Sequence, residues 1–159
     1  MQKFDKHFYD FIYGTIHHHN IEGRADELIR TLGKGRWLEI GAACGYFVKL
    51  LREKGVDAWG IEISDYAVSE SCAPGYLLKA DAQNIPFPDN HFDVVTSWAV
   101  FGYNNEAETE QIIREVNRVG AKQYHTIDYQ ITDMAPNYPY DYVFMKPREW
   151  FDKRMKNYA

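Results

Sequence analysis

Cysteine is scarce in this chain: Cys44 and Cys72 are the two among 159 residues. Two thiols so far apart rule out a disulfide framework and a cysteine zinc site, and both are read as reduced. A run of like charge is also missing. Eighteen Lys and Arg against 23 Asp and Glu leave a formal charge of −5, with no block of Lys or Arg. The chain therefore lacks the basic footprint by which proteins neutralise phosphates, and nucleic acid is not an expected partner. No apolar run reaches the roughly 18 residues of a membrane helix, so no membrane span is expected. The first residues, MQKFDKHFYDFIYG, interrupt their aromatics with charges, unlike a signal peptide, and the expected location is cytoplasmic. Repeats and low-complexity stretches are absent too. With 45% hydrophobic and 16% aromatic residues, what remains is one packed domain spanning 1–159.

The hydrophobic period alternates between helix and strand from residue 36 onward, the pattern of a parallel α/β sheet. Before that point Phe4, Phe8, Phe11 and Ile12 recur at helical spacing, and a second helix is expected from Arg24 to Leu32. Residues 1–35 are read as a helical lid. Strands are expected at 36–41, 57–63, 76–80, 92–100 and 124–131, making about five in a doubly wound, mostly parallel sheet. Helices are expected at 45–54, 65–72 and from Asn105, where Glu108 three residues on completes a capping box. Residues 36–131 would form the ligand-binding core. Residues 132–159 hold a Tyr/Pro segment (Tyr138, Tyr140, Tyr142) and a last helix after Pro147.

The first strand runs into Glu39-Ile-Gly41-Ala42-Ala43-Cys44-Gly45 and then a helix. A glycine-containing turn between strand and helix leaves backbone N–H groups free for an anionic ligand. A dinucleotide fold would place glycines at the first, third and sixth positions, whereas Gly41, Ala43 and Tyr46 stand there. A nicotinamide-dependent reductase is thus the weaker reading. Glu62, about 20 residues beyond the turn, can accept the two hydroxyls of a ribose. Three consecutive histidines, His17 to His19, point about 100° apart on a helix and cannot converge on one ion, so no metal is expected.

In order and spacing, four stretches resemble the class I S-adenosylmethionine-dependent methyltransferases of the ubiquinone-biosynthesis type. They are Trp37 to Gly45, Gly60 to Ser64, Asp81 to Asp93, and Val94 to Phe101. The resemblance implies a Rossmann-like fold with S-adenosylmethionine as cofactor and S-adenosylhomocysteine as product. It also implies site roles: Gly41, Ala42 and Gly45 along the methionine moiety, Glu39 toward its ammonium through water, and Glu62 on the ribose hydroxyls. Ile63 would pack on adenine, Asp81 and Ala82 would meet its edge, and Trp98 would border the sulfonium. In that family a helix and a two-strand hairpin follow strand five, and here the C-terminal part is read as shortened.

Methyl transfer from a sulfonium is an in-line displacement, so the protein must mainly align the partners and exclude water. Ser97-Trp-Ala-Val-Phe101 stands where amino-methylating nucleic-acid enzymes carry an Asp/Asn-Pro-Pro-aromatic stretch, and a small-molecule acceptor is expected instead. For an acceptor that must lose a proton, Tyr103, Asp128 and His18 are the candidate bases. The alternative from another class is a silent cofactor-binding domain, or one completed by a partner. An open edge along strand five is expected to be covered either by the Tyr/Pro segment or by a second copy, and a homodimer is the favoured of the two.

Overall fold

A computed structural model describes residues 4–15, 21–127 and 146–157, with the backbone path alone for 12–15. The chain runs α1 (Lys6–Thr15), α2 (Ile21–Leu32), β1 (Arg36–Ile40), α3 (Tyr46–Glu53), β2 (Asp57–Glu62) and α4 (Asp65–Ser69). It continues through β3 (Leu77–Lys79), β4 (Phe92–Trp98), α5 (Glu106–Val119), β5 (Gly120–Thr126) and α6 (Arg148–Asp152). The strands pair in the order β3-β2-β1-β4-β5, and every pairing is parallel. The chain reverses its direction of travel across the sheet between β1 and β4. In such sheets ligands bind at the carboxyl ends of the strands beside that switch.

Each face of the sheet has its own cover, as the double winding requires. Leu38, Ile40, Ile61 and Val95 pack under Ile112, Ile113 and Val116 of α5 and Phe151 of α6. On the other face Trp37, Ala58 and Val94 meet Ala25 and Leu28 of α2 and Phe47, Val48 and Leu51 of α3. Val94 to Ser97 of β4 are buried on both faces, which accounts for the near-continuous apolar run there. The capping box of α5 forms in both directions: Glu108 N donates to Asn105 Oδ1 (3.0 Å), and Asn105 N donates to Glu108 Oε2 (2.8 Å).

Three boundaries among the described residues differ from the expected ones by three residues or more. Helix α2 starts at Ile21, because Ile21 packs onto the α2–α3 core and Gly23 is tolerated in a first turn whose N–H groups lack helical partners. Helix α4 stops at Ser69 rather than Cys72, since the Cys72 N–H and thiol both turn to the Cys44 carbonyl (3.0 and 3.1 Å). Strand β5 begins four residues before Tyr124, directly at the end of α5. A side chain on Gly120 would sit 2.4 Å from Val95, so the bare backbone lets helix and strand join without a loop. Residues 128–131 of the expected strand lie outside the described residues.

Among the described residues β5 forms one edge of the sheet, but its outer side is not bare. Asn157 O accepts the Gln123 N–H (3.2 Å), and Asn157 Nδ2 donates to Ala121 O (2.9 Å). Asn117 fastens this turn: its amide donates to Arg154 O (2.7 Å), while its Oδ1 accepts from Lys156 N (2.9 Å) and from Gln123 Nε2 (2.7 Å). The C-terminal turn thus occupies part of the edge on which the dimer expectation was based. Asn117→Ala removes three hydrogen bonds and leaves the buried Gln123 amide unpaired. It should cost about 1–3 kcal/mol, read as a lowered urea midpoint with unchanged slope.

Candidate functional site

The carboxyl edge is organised by the turn after β1. Gly41 adopts φ +64°, and a Cβ there would lie 2.4 Å from the Val100 side chain. Ala43, where a third glycine would relieve the backbone, also sits in the left-handed region at φ +49°. That conformation costs an L-residue roughly 1–2 kcal/mol. Two hydrogen bonds hold the turn against it: Ala42 N donates to Ile61 O (3.0 Å), and Ala43 N donates to Glu62 Oε2 (2.9 Å). The other oxygen of Glu62 accepts from Ser64 N (2.9 Å). Ser64 in turn caps α4 by accepting from Ala67 N (3.2 Å) and donates to Phe4 O (2.6 Å). One chain of bonds therefore runs from the turn, through Glu62, to the N-terminal segment.

These elements enclose a cavity of about 580 Å³. Glu39, Gly41, Ala42, Glu62 and Ile63 line it, as do Asp81, Ala82, Trp98 and Tyr103, so the residues singled out from sequence converge on one wall system. Gly45 is not on that wall; its missing side chain faces Ala73 and Leu77, so its part is to shape the entry to α3. His18 and Asp128 lie outside the described residues. Residues that the sequence reading passed over also reach the cavity: Arg24 from α2, Phe4, Phe8 and Tyr9 along its roof, and Thr126 at the end of β5. Phe8 and Tyr9 are buried against Cys44 and Ala67, which seats α1 over the turn.

The electrostatics of the cavity are set by burial. Glu39 is 4% exposed, and its Oε2 has no hydrogen-bond partner among the described residues. Burial, reinforced by the nearby Glu62, raises its carboxyl well above the usual glutamate range. Asp81 Oδ1 accepts from Gln83 N (2.8 Å), which fixes the carboxylate in a turn. Trp98 stands edge-on to Phe47 (5.2 Å) and Tyr124 (5.8 Å), with the Arg24 guanidinium 5.6 Å from its ring centre. On the opposite face of β4, Ser97 Oγ and His125 Nδ1 are hydrogen-bonded at 2.8 Å. Burial lowers the His125 pKa to about 3, so this imidazole is neutral at physiological pH. Among the described residues no three His, Cys, Asp or Glu are grouped to hold a metal.

A carboxylate offers about four acceptor positions, and two of those on Glu62 are taken by backbone N–H groups. Two remain, enough for a pair of neighbouring hydroxyls. Ile63 beside it is 45% exposed, an apolar surface available to a flat base.

Residues 38–123, more than half of the chain, match the methyltransferase domain family. The chain belongs to this family. S-adenosylmethionine is the methyl donor of such domains, and the wall described above fits it: a free acceptor pair, an apolar shelf and an unpartnered buried carboxyl. A demethylmenaquinone methyltransferase of Thermotoga maritima is 28% identical over 101 residues, which are 60% of this chain and 43% of that protein. A ubiquinone/menaquinone biosynthesis C-methyltransferase of Ectopseudomonas mendocina is 50% identical over 43 residues, 27% of this chain and 16% of that one. This methyltransferase domain thus spans less than half the length of either relative. Among solved structures, a Pyrococcus horikoshii protein superposes with TM-score 0.60 at 23% identity, over 73% of this chain and 61% of that one. An S-adenosylmethionine-dependent methyltransferase from Clostridium acetobutylicum superposes with TM-score 0.59 at 16% identity, over 73% and 52%. These superpositions establish the Rossmann-like fold.

Because the folded-state pKa of Glu39 is raised, this group favours the folded protein in acid, and that contribution is lost as pH rises through the raised value. Glu39→Gln keeps the neutral shape and removes the ionisation. The ligand-free variant should therefore be more stable than the parent at pH 8, by at most about 1.4 kcal/mol per pH unit above the usual glutamate value, with the gap closing toward pH 4. Denaturant unfolding at both pH values measures it.

Proposed function

We propose that this domain transfers a methyl group from S-adenosylmethionine to a small, largely apolar acceptor by in-line displacement. The observation that carries the reading is the cavity in which Glu62, with two of its acceptor positions taken by backbone N–H groups, lies beneath an aromatic roof. The cofactor supplies a methyl on a positively charged sulfur, whose bonding electrons return to sulfur as the methyl departs. The chain's own work is then binding, alignment and exclusion of water. Glu62 holds the ribose hydroxyls, Ile63 packs on the adenine, and Asp81 with Ala82 meets the base edge. Gly41 and Ala42 let the backbone approach the methionine moiety, and Trp98 offers its aromatic surface to the sulfonium.

The described part of the N-terminal region, with Phe4, Phe8 and Tyr9 on the cavity wall, supplies the cover. Phe4 and Phe8 each stand edge-on to Tyr103 at 5.6 Å, which makes the acceptor side of the cavity aromatic. An acceptor hydroxyl that must lose its proton has Tyr103 as the described candidate base; His18 and Asp128 are the others. The quinone-related names of the relatives support the reading of a flat apolar acceptor.

A second reading is a domain that holds the cofactor but needs a partner to complete transfer. Incubating the protein with methyl-labelled S-adenosylmethionine and fractionated small-molecule extract separates the two. Label in an acceptor supports transfer, whereas bound cofactor with no labelled product under any fraction supports the partner-completed domain. Glu62→Gln should weaken S-adenosylhomocysteine binding by about 1.5–3 kcal/mol in calorimetry, since a hydrogen bond to a charged group is lost. A melting curve of the variant alone separates this from loosening of the Ala43–Ser64 bridge.

A further inference from the structure

The segment that joins β4 to α5 is strained where it meets the cavity. Ala99, the residue after β4, sits on the wall at φ +52°, a left-handed conformation that an alanine does not adopt unaided. Its N–H is shared by two acceptors of one residue, Thr126 O (3.1 Å) and Thr126 Oγ1 (3.0 Å), so the end of β5 holds the end of β4 in that shape. The side chain of the next residue, Val100, fills the space that a Cβ on Gly41 would need, which ties the segment to the turn after β1. This arrangement leaves two polar groups over on the wall. The Thr126 hydroxyl, having accepted from Ala99, still has its own proton to give, and that proton meets no acceptor among the described residues. Asn104 gives its amide to Val100 O (3.0 Å), which fixes the flip of the side chain and leaves Oδ1 as an acceptor with no donor among the described residues. A few placed polar groups in a pocket lined by apolar and aromatic side chains are what fixes the orientation of a ligand.

We propose that Thr126 and Asn104 select the methyl acceptor: the Thr126 hydroxyl donates to a carbonyl oxygen, and Asn104 Oδ1 accepts from a hydroxyl of the same molecule. The inference rests on the methyl-transfer reading above. It narrows the acceptor from flat and apolar to an aromatic compound that carries both a carbonyl and a hydroxyl. The two roles are not interchangeable, since Thr126 has a proton to give and Asn104 Oδ1 has none. Both side chains are bonded to the segment after β4, and Val100 of that segment packs on Gly41. An acceptor held by them is therefore placed relative to the turn along which the methionine moiety lies, and alignment of this kind is what methyl transfer requires of the protein.

The test uses three probes built on one ring system: 2-acetylnaphthalene, which has the carbonyl, 2-naphthol, which has the hydroxyl, and 2-methylnaphthalene, which has neither. Each is titrated into the protein with and without saturating S-adenosylhomocysteine. The wild-type chain should bind the first two more tightly than the third by roughly 2- to 10-fold, the range of a neutral hydrogen bond. Thr126→Val keeps the shape and leaves the Ala99 N–H on Thr126 O, and it should erase the preference for 2-acetylnaphthalene alone. Thr126→Ser should keep that preference, and Asn104→Leu should erase the preference for 2-naphthol alone. Melting curves show that the variants fold, and Thr126→Ala and Asn104→Ala take their place where the larger side chain does not. The proposal is overturned if the wild-type chain binds all three probes alike or none of them, if a variant erases both preferences, or if it weakens the three probes equally, as loss of packing would. Should the probes follow the expected pattern while S-adenosylhomocysteine fails to bind, the pair stands as a ligand subsite and the cofactor reading fails.

Discussion

Glu62 can accept from Ala43 and Ser64 at the same time only when the turn after β1 lies beside the junction after β2, and the rest of the site follows from that juxtaposition. The bond to Ala43 N–H offsets the left-handed backbone at φ +49°, a conformation that an alanine does not hold by itself. The bond to Ser64 fixes the start of α4, and Ser64 passes the constraint to the N-terminal segment through Phe4 O. A single buried carboxylate therefore shapes the turn, sets the neighbouring helix and anchors the roof. Glu62 itself lies on the wall of the cavity that those three elements enclose.

The cavity shows how a fold keeps a site ready for a charged ligand. Burial raises the Glu39 carboxyl above the usual glutamate range and depresses the His125 imidazole, which is neutral at physiological pH. His125 is served by Ser97 on the far face of β4 and belongs to the packing of the core. Glu39 faces open space. The same desolvation acts on both faces of the sheet, on Glu39 at the cavity wall and on His125 on the far face of β4, where Ser97 bonds one ring nitrogen.

The scaffold beneath is held by joints that use polar side chains where apolar ones might be expected. Arg118 near the end of α5 donates to Ile85 O, Phe87 O, Glu115 and Asp89, tying the loop before β4 to the helix that follows it. Asn117 beside it docks the C-terminal turn onto β5. An edge strand whose buried positions include Gln123 and His125 has little apolar signal, because its hydrogen-bonding groups are spent on those joints.

What the chain determined by itself is the part governed by neighbours in sequence. The switch of hydrophobic period marked the parallel sheet, Asn105 and Glu108 marked the start of α5, and the spacing from Gly41 to Glu62 marked two positions that line one cavity, because each depends on residues within a turn or one strand–helix unit. Arg24 was not legible: on the polar side of an amphipathic helix it resembles any solvated cation until α2 lays it over Trp98. Gly45 looked like a ligand contact, yet its bare side faces Ala73. The early start of β5 depends on Gly120 meeting Val95, a contact between residues 25 apart. Tertiary structure alone decided these, since which face a side chain presents and what stands opposite it are set by how distant segments pack, and no local pattern records that.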